Sequence, residues 1–401
     1  MKILVVSHYY WPEQFPVTAV CEGLVARGHE VTVLTGLPNY HTGAVDDEYR
    51  MGRNRTQTHN GVEIIRVPVI GRGSGAFRLA LNYYSFSFAA CRKTIFLDGD
   101  FDAVYVYQVS PITMVEPAVR YKKRYGAPLL VYCCDLWPES MKALLGDRLP
   151  SLVQAYKGIS RRLYQAADRL VVQSEAFPQY FQEVLEMPAD KISYCPQFAT
   201  NEGLEGLPRT PHEGTNFLIA GNMGRVQDIP VIIDAVKDMR HQQGFQVHFV
   251  GDGSRYEETK SMVGELGLND RVVLHGRKPK AEMPAFYSMA DACILALNGD
   301  SWIGTTVPTR LQGYMAAGMP VLAAVGGGAR AVIEGSGCGC AVDAGDAKGL
   351  AALMDDFIEG AGDFSSCGKK GRAYYERHFT LRSFLDTLES TLFDMIERKA
   401  S

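Results

Sequence analysis

Two glycine-bearing runs hold the residues best suited to binding a phosphorylated ligand. Gly221-Asn222-Met223-Gly224-Arg225 follows the apolar run Phe217–Ala220 and precedes a helical pattern. Two glycines let backbone N–H groups approach a ligand, a helix start favours phosphate, and Arg225 adds a charge-assisted contact. Gly304-Thr305-Thr306-Val307-Pro308-Thr309-Arg310 repeats the device with hydroxyls, a helix-starting proline and a second cation. A capped helix with an exposed arginine is the bland alternative for each run. Both runs follow strands of one alternating pattern, so both are expected on one sheet rim. Together they predict a diphosphate site.

A second set of runs is rich in rings and polar groups. Ser7-His8-Tyr9-Tyr10-Trp11-Pro12-Glu13-Gln14, Pro38-Asn39-Tyr40-His41-Thr42-Gly43 and Asp135-Leu136-Trp137-Pro138-Glu139-Ser140 each follow a strand pattern. Aromatic rings stack on sugar faces, and carboxylates and amides bond hydroxyls. Three such loops predict a carbohydrate acceptor, with His8, Trp11, Glu13, Asn39, Tyr40, Trp137 and Glu139 as contacts. Packing within the loop is the alternative for any single ring.

These loops need a scaffold, and the pattern around them supplies one. Lys2–Ser7 reads as a buried strand, Val17–Arg27 as an amphipathic helix ended by Gly28, and Val31–Thr35 as a second strand. Further strands are expected at Glu63–Val69, Ala103–Tyr107, Pro128–Cys133 and Asp168–Gln173, with helices between them. Short apolar strands separated by helices imply a parallel sheet covered on both faces. Around 200–215 the pattern breaks into a polar Gly/Pro stretch, read as a linker. Alternation then restarts, with strands at Phe217–Ala220, Gln246–Val250, Val272–His275, Ala292–Leu297 and Val321–Ala324. The expected architecture is α/β: two doubly wound, Rossmann-like domains facing a cleft, over 1–199 and 216–378. A last helix over 379–401 returns toward the first domain.

Composition narrows the function classes. The 401 residues hold 41 Lys+Arg and 45 Asp+Glu, a formal charge of −4, which argues against a general nucleic-acid binder. No apolar stretch is long enough for a transmembrane helix, and the opening run is too short for a secretory signal. A cytoplasmic protein is expected. Its nine cysteines are scattered and read as structural thiols. Cys338-x-Cys340 lacks the spacing of a zinc site. A nicotinamide enzyme is disfavoured, because no G-x-G-x-x-G follows the first strand and no Walker lysine is present.

At these loops the chain resembles a known family, the retaining family 4 glycosyltransferases of GT-B fold. It is similar to bacterial transferases that build O-antigen and exopolysaccharide units, including those adding N-acetylfucosamine. The resemblance rests on Tyr10-Trp11-Pro12-Glu13, Leu37-Pro38-Asn39-Tyr40, the Asp135–Ser140 run, Gly221-Asn222-x-Gly224-Arg225, Gly251-Asp252-Gly253, Pro308-Thr309-Arg310 and Met315-Ala316-Ala317-Gly318. It implies a C-terminal domain that binds a nucleotide sugar, usually a UDP-sugar. The N-terminal domain would take the acceptor, often a polyprenyl-diphosphate-linked saccharide. No metal and no resident cofactor are implied. By position, Arg225 and Arg310 would bind the diphosphate and the backbone near Gly276-Arg277 would meet the base. Two departures stand out. Most members carry two glutamates where this chain has Thr305 and Gly313, which leaves Gln312 as a substitute. Many have a histidine where this chain has Cys134.

Glycosyl transfer builds charge on the leaving oxygen, which cations and N–H donors stabilise. The family implies that the leaving phosphate can itself take the acceptor's proton. If a side chain assists, Asp135 is favoured over His8 and Glu13, with a helix-capping role for Asp135 as the alternative. A GT-B sugar-nucleotide epimerase is the competing enzyme, and a two-domain sugar-binding protein the competing class. The run Phe77–Phe88, followed by Arg92-Lys93 and joined by Lys122-Lys123-Arg124 and Arg161-Arg162, offers either a membrane-surface helix or a helix packed on the sheet.

Overall fold

The computed structural model describes residues 1–145, 149–200, 202–299 and 302–400. They form two compact units, Met1–Cys195 together with the chain from Phe384, and Pro196–Ser383. Asn201, in the stretch read as a linker, lies outside the described residues.

The first unit runs β1 (Lys2–Val6), α1 (Pro16–Ala26), β2 (Glu30–Thr35), β3 (Thr56–His59), β4 (Val62–Arg66), α2 (Ala76–Lys93), β5 (Ala103–Gln108), α3 (Glu116–Tyr125), β6 (Leu129–Cys133), α4 (Glu139–Leu145), α5 (Pro150–Gln165), β7 (Arg169–Val172), α6 (Phe177–Glu183) and β8 (Ile192–Tyr194). Among the described residues the strand order is β3-β4-β2-β1-β5-β6-β7-β8. Every neighbouring pair is parallel except β3–β4. The central strands are buried along their whole length, as a sheet covered on both faces requires. The strand order reverses between β1 and β5, so the loops after these two strands flank the crevice where such sheets take ligands.

The second unit runs β9 (Thr215–Ala220), α7 (Ile229–Asp238), β10 (Phe245–Val250), α8 (Tyr256–Glu265), β11 (Val272–Gly276), α9 (Met283–Met289), β12 (Ala292–Ala296), α10 (Thr309–Ala316), β13 (Val321–Ala324), α11 (Gly327–Ser336), β14 (Gly339–Val342), α12 (Ala347–Glu359) and α13 (Cys367–His378). Its described strands lie in the order β11-β10-β9-β12-β13-β14, all parallel. In chain order this is 3-2-1-4-5-6, the doubly wound dinucleotide-fold arrangement, with its reversal between β9 and β12. Phe217 and Ile219 enter one apolar cluster while Leu218 and Ala220 enter another. That alternation is the period of two expected of a strand with a core on each side.

The stretch 200–215 is not a free linker. Leu204 is buried in the second unit's core, Thr210 N donates to Ser288 O at 2.9 Å, and the Arg209 guanidinium donates to Ala290 O. The last helix, α14 (Leu381–Ala400), packs within the first unit from Phe384 onward. Phe384 meets the Tyr132 ring edge-on, and Leu385 occupies the space beside Gly23 that a side chain there would fill. Arg27 pairs with Asp386 at 2.7 Å and Glu389 at 2.8 Å, and His29 Nε2 bonds Glu389 at 2.6 Å.

Glu389→Ala is expected to speed amide exchange across Leu381–Ala400 roughly fivefold, the ~1 kcal/mol such ion pairs supply. Exchange in the second sheet should not change. Hydrogen exchange followed by mass spectrometry reads both, and equal rates along the helix would show the clamp to be idle.

Candidate functional site

The second unit's rim is built by backbone packed on backbone. Gly221 N donates to Val250 O at 2.8 Å and Gly251 N to Gly276 O at 2.9 Å, so the ends of β9, β10 and β11 are stitched side by side. Met223 N reaches Asp252 O at 2.7 Å and Arg255 N reaches Met223 O at 2.9 Å. A Cβ at Gly251, whose φ is +151°, would collide with the Gly221 carbonyl. One at Gly253 would lie 2.6 Å from both Asn222 Oδ1 and Met223 O. Only glycine lets these two loops touch.

From the other side of the strand reversal comes Arg310, on the first turn of α10. Its Nη2 donates to Asn222 O and stands 3.4 Å from where a Cβ on Gly221 would be. Asn298 N donates to Val226 O at 2.9 Å, tying the loop after β12 to the loop after β9. Tyr314, fully buried one turn on, accepts from Ala220 N at 3.0 Å and fixes the height of that strand end. The structure therefore brings Gly221, Asn222, Gly251, Gly276 and Arg310 together. Gly224 N is held by Gln227 Oε1 at 2.9 Å. Arg225 and Arg277 are exposed, with no hydrogen bond or ion pair among the described residues.

The other loop residues have definite places. Pro308 sits at the N-cap of α10, and Thr309 is its first residue. Thr306 N donates to Ile303 O at 3.2 Å, closing a short turn. Thr305 abuts Gly327, where a Cβ would lie 2.6 Å from the Thr305 Cα. Gly327 opens the ten-residue helix α11 behind Gly326. The run Gly326-Gly327-Gly328 after β13 escaped the sequence reading, although three glycines between a strand and a helix were the signal that could have found it.

Gln312 does not stand in for a ribose-binding carboxylate. It is 0% exposed, and its Nε2 donates to Gln197 O at 2.6 Å. A residue on the buried face of α10 cannot reach solvent without unpacking that helix.

In the first unit most of the polar groups expected to meet a sugar turn inward. Glu13 Oε1 accepts from Asn39 N at 2.8 Å and from Tyr40 N, and burial pushes its carboxyl up. Asn39 accepts from Arg72 N and Asn82 Nδ2, both at 3.0 Å, and donates to Leu37 O. Trp137 is buried, its Nε1 donating to Ser110 Oγ at 3.0 Å. Glu139 is buried with Lys142 at 2.8 Å and Tyr180 at 3.3 Å. Trp11 stacks on His59 with centroids 4.0 Å apart. Glu13, Asn39, Trp137 and Glu139 are buried in shaping the loops, while Trp11 is only partly buried. Tyr40 alone of the expected rings is exposed.

Asp135 is half-buried beyond β6. Its Oδ2 accepts from Ser110 N and Ser110 Oγ, both at 2.8 Å, and Oδ1 has no partner among the described residues. It caps no helix. Burial raises its carboxyl, and the two Ser110 bonds oppose the rise. His8 is 0% exposed and lies between the Tyr9 ring at 4.2 Å and the Phe86 ring at 4.5 Å. Neither of its nitrogens has a partner among the described residues. Burial, helped by the Arg72 charge, lowers its pKa to about 3. Among the described residues no group of three or more His, Cys, Asp or Glu is placed to hold a metal ion.

Comparison with known proteins matches this geometry. The profile of the family "Glycosyl transferases group 1" fits residues 208–374, and that of "Glycosyl transferase 4-like domain" fits residues 17–197. The chain belongs to the GT-B glycosyltransferases. The fold of this GT-B chain is also that of solved structures. Sucrose-phosphate synthase from Thermosynechococcus elongatus superposes with a TM-score of 0.74 at 16% identity, over 99% of both chains. Alr3699/HepE of Anabaena, solved with UDP, superposes at 0.70 and 16% identity, over 98% of this chain and 100% of the other. The amylovoran biosynthesis glycosyltransferase AmsK of Erwinia amylovora is 27% identical over 217 residues, which is 50% of this chain and 51% of that one. The GT-B chain spans about half the length, or less, of the curated relatives it matches.

The buried imidazole of the GT-B chain has a measurable consequence. The unfolded chain gains a proton at His8 near pH 6.5, which the folded state refuses until about pH 3. Stability is therefore complete above pH 6.5 and falls by about 1.4 kcal/mol per pH unit as pH drops through that window. His8→Phe is expected to flatten this acid limb in urea titrations. An unchanged limb would mean that the imidazole is protonated in the fold.

Proposed function

We propose that this GT-B chain transfers a hexosyl or N-acetylhexosaminyl group, with retention, from a UDP-sugar to a lipid-diphosphate-linked saccharide in surface-polysaccharide synthesis. The observation that carries the reading is the rim at the β9/β12 reversal, where Arg310 is seated on Asn222 O beside Gly221 and Arg225 has no ion pair among the described residues. A nucleoside diphosphate is the anion that suits it. The neighbour solved with UDP and the relative named for amylovoran biosynthesis support the same direction. Both matched profiles are of transferases, which favours transfer over epimerisation.

The chemistry follows from the charges. The bond between the anomeric carbon and the phosphate oxygen breaks, and the bond to the acceptor oxygen forms on the same face. Negative charge grows on the leaving diphosphate, where Arg225, Arg310 and nearby backbone N–H groups stabilise it without a metal ion. The acceptor's proton goes to the leaving phosphate oxygen. On the first unit, Asp135 Oδ1 is the side-chain oxygen available to orient the acceptor hydroxyl.

A lipid-linked acceptor calls for a membrane surface. Among the described residues no helix is long and apolar enough to cross a membrane. Helix α2 instead turns Phe86, Ala90 and Cys91 inward and leaves Phe77, Tyr84 and Phe88 outward, Phe77 at 75% and Phe88 at 67% exposure. Ile95 and Phe96 continue the exposed stripe. Three of the other basic residues are occupied, in the pairs Lys122–Asp168, Arg161–Glu186 and Arg162–Glu116. Arg78, Arg92 and Lys93, on α2 itself, have no ion pair among the described residues. We place the bilayer contact on this helix. The wild type should float with anionic vesicles at low salt, and Phe77→Ser/Phe88→Ser should not. A wild type that stays at the bottom of the gradient rejects the contact.

Release of UDP from a panel of UDP-sugars, including UDP-N-acetylfucosamine, tests the donor side. It should require an acceptor. Arg225→Ala and Arg310→Ala are each expected to lower turnover roughly tenfold or more with the fold intact by circular dichroism. Near-normal turnover in both would sink the diphosphate assignment.

A further inference from the structure

The first unit holds a cation that no carboxylate neutralises among the described residues. Arg72 lies in the segment between β4 and α2. Its backbone is pinned from two sides: Arg72 N donates to Asn39 Oδ1 at 3.0 Å, and Gly73 N donates to Gly43 O at 2.7 Å. The approach is so close that a Cβ on Gly71 would stand 2.8 Å from Gly43 O. Asn39 is in turn held by Asn82, whose Oδ1 takes the Tyr9 hydroxyl at 3.2 Å. This much buried polar bonding fixes the side chain's starting point.

The guanidinium rests on the face of Tyr40, 4.4 Å from the ring centroid. It is half-buried, and no carboxylate pairs with it among the described residues. Its electrostatic neighbours are the phenols of Tyr9, Tyr83 and Tyr40, together with the His8 imidazole. Tyr83 also feels Asp135, so the phenol lies in the field of both the cation and the candidate acceptor-side carboxylate. A guanidinium cannot shed its charge, and here phenols rather than a carboxylate offset its burial, which leaves the place of a true counter-ion for an anionic ligand. His8 is an independent sign of an unfilled requirement. Its ring is fully buried, edge-on to Tyr83 at 5.9 Å, and both nitrogens lack partners among the described residues.

We propose that Arg72, pre-set on Tyr40 with the Tyr83 and His8 polar groups beside it, is the residue by which the first unit recognises a diphosphate group on its acceptor. The planar fork takes two phosphate oxygens at once, and the Tyr83 phenol adds a single hydrogen bond. This rests on the acceptor being anionic and lipid-linked, and it assigns that recognition to a residue outside the three aromatic runs. It also makes charge, rather than sugar identity, the feature that the first unit reads at this point.

The test is binding, so it needs no turnover. The full chain is titrated calorimetrically with inorganic pyrophosphate, farnesyl diphosphate and farnesol. Farnesyl diphosphate should bind, and Arg72→Ala should weaken it roughly tenfold or more. With saturating UDP present to occupy the other unit's rim, the Arg72 effect should persist, and Arg72→Lys should keep part of the affinity as a point charge. UDP binding should be the same in Arg72→Ala and wild type, which shows the variant to be folded. A pyrophosphate response that follows Arg72 in the same way means the phosphates alone suffice. A response confined to farnesyl diphosphate means the lipid is also read. Equal farnesyl diphosphate binding by Arg72→Ala and wild type overturns the proposal, as does equal binding of farnesol. A donor side that fails its own UDP-release test leaves this measurement unaffected.

Discussion

A side chain at residue 251 would collide with the carbonyl of Gly221, and the second unit's rim depends on that collision being avoided. Because it is avoided, the ends of β9, β10 and β11 close into one continuous backbone surface. Arg310 can then cross the strand reversal and seat on Asn222 O. The hydrogen bonds involved are ordinary in strength, about 1 kcal/mol net each. What matters is their geometry: they set loops, and therefore donors and cations, at fixed positions before any ligand arrives. Preorganisation of this kind is what stabilises developing charge most effectively, since nothing has to rearrange as the charge appears.

The first unit reaches rigidity by another route. Its loops are held by buried side-chain bonds, Glu13 to the backbone of residues 39–40, Asn82 to Asn39, and Ser110 to Asp135. Each of these groups would cost more unpaired than it contributes paired, so the network tolerates few arrangements. The result is a rim whose polar side chains are mostly consumed in shaping it. What is left over, Arg72, Tyr40 and Asp135 Oδ1, is correspondingly informative.

The strands and helices that bury an apolar face were legible in the sequence, because alternation and helical spacing survive without any knowledge of partners. The short or polar elements were not. Strand β3 is Thr56-Gln57-Thr58-His59, which carries no apolar pattern, and β8 has three residues. Strand β14 begins with a glycine, and both α4 and α6 have seven residues. The candidate site was legible where glycine or proline dictated backbone, as at Gly221, Gly251 and Pro308. It was not legible where the question was which way a polar side chain points. Trp137, Glu139 and Gln312 have the right types for a site, yet the structure buries them, and no spacing rule distinguishes a carboxylate aimed at a ligand from one aimed at Tyr180. Arg72 was missed for the converse reason, since a lone arginine between glycines has no motif.

The absent carboxylates on the second rim are informative in the same physical terms. Thr305 stands where the resemblance leads one to expect a glutamate, and its backbone is pressed against Gly327 at the start of α11. A glutamate there would set a negative charge beside a helix N-terminus and partly cancel its field. With threonine the helix end, Arg225 and Arg310 act on the rim without that added negative charge. Under the proposed function, sugar and ribose hydroxyls lose a strong acceptor by this exchange, while phosphate oxygens gain a more positive surface. On that reading the balance of recognition on this rim moves from hydroxyl to phosphate, and the diphosphate is the part of the donor that the second unit would hold hardest.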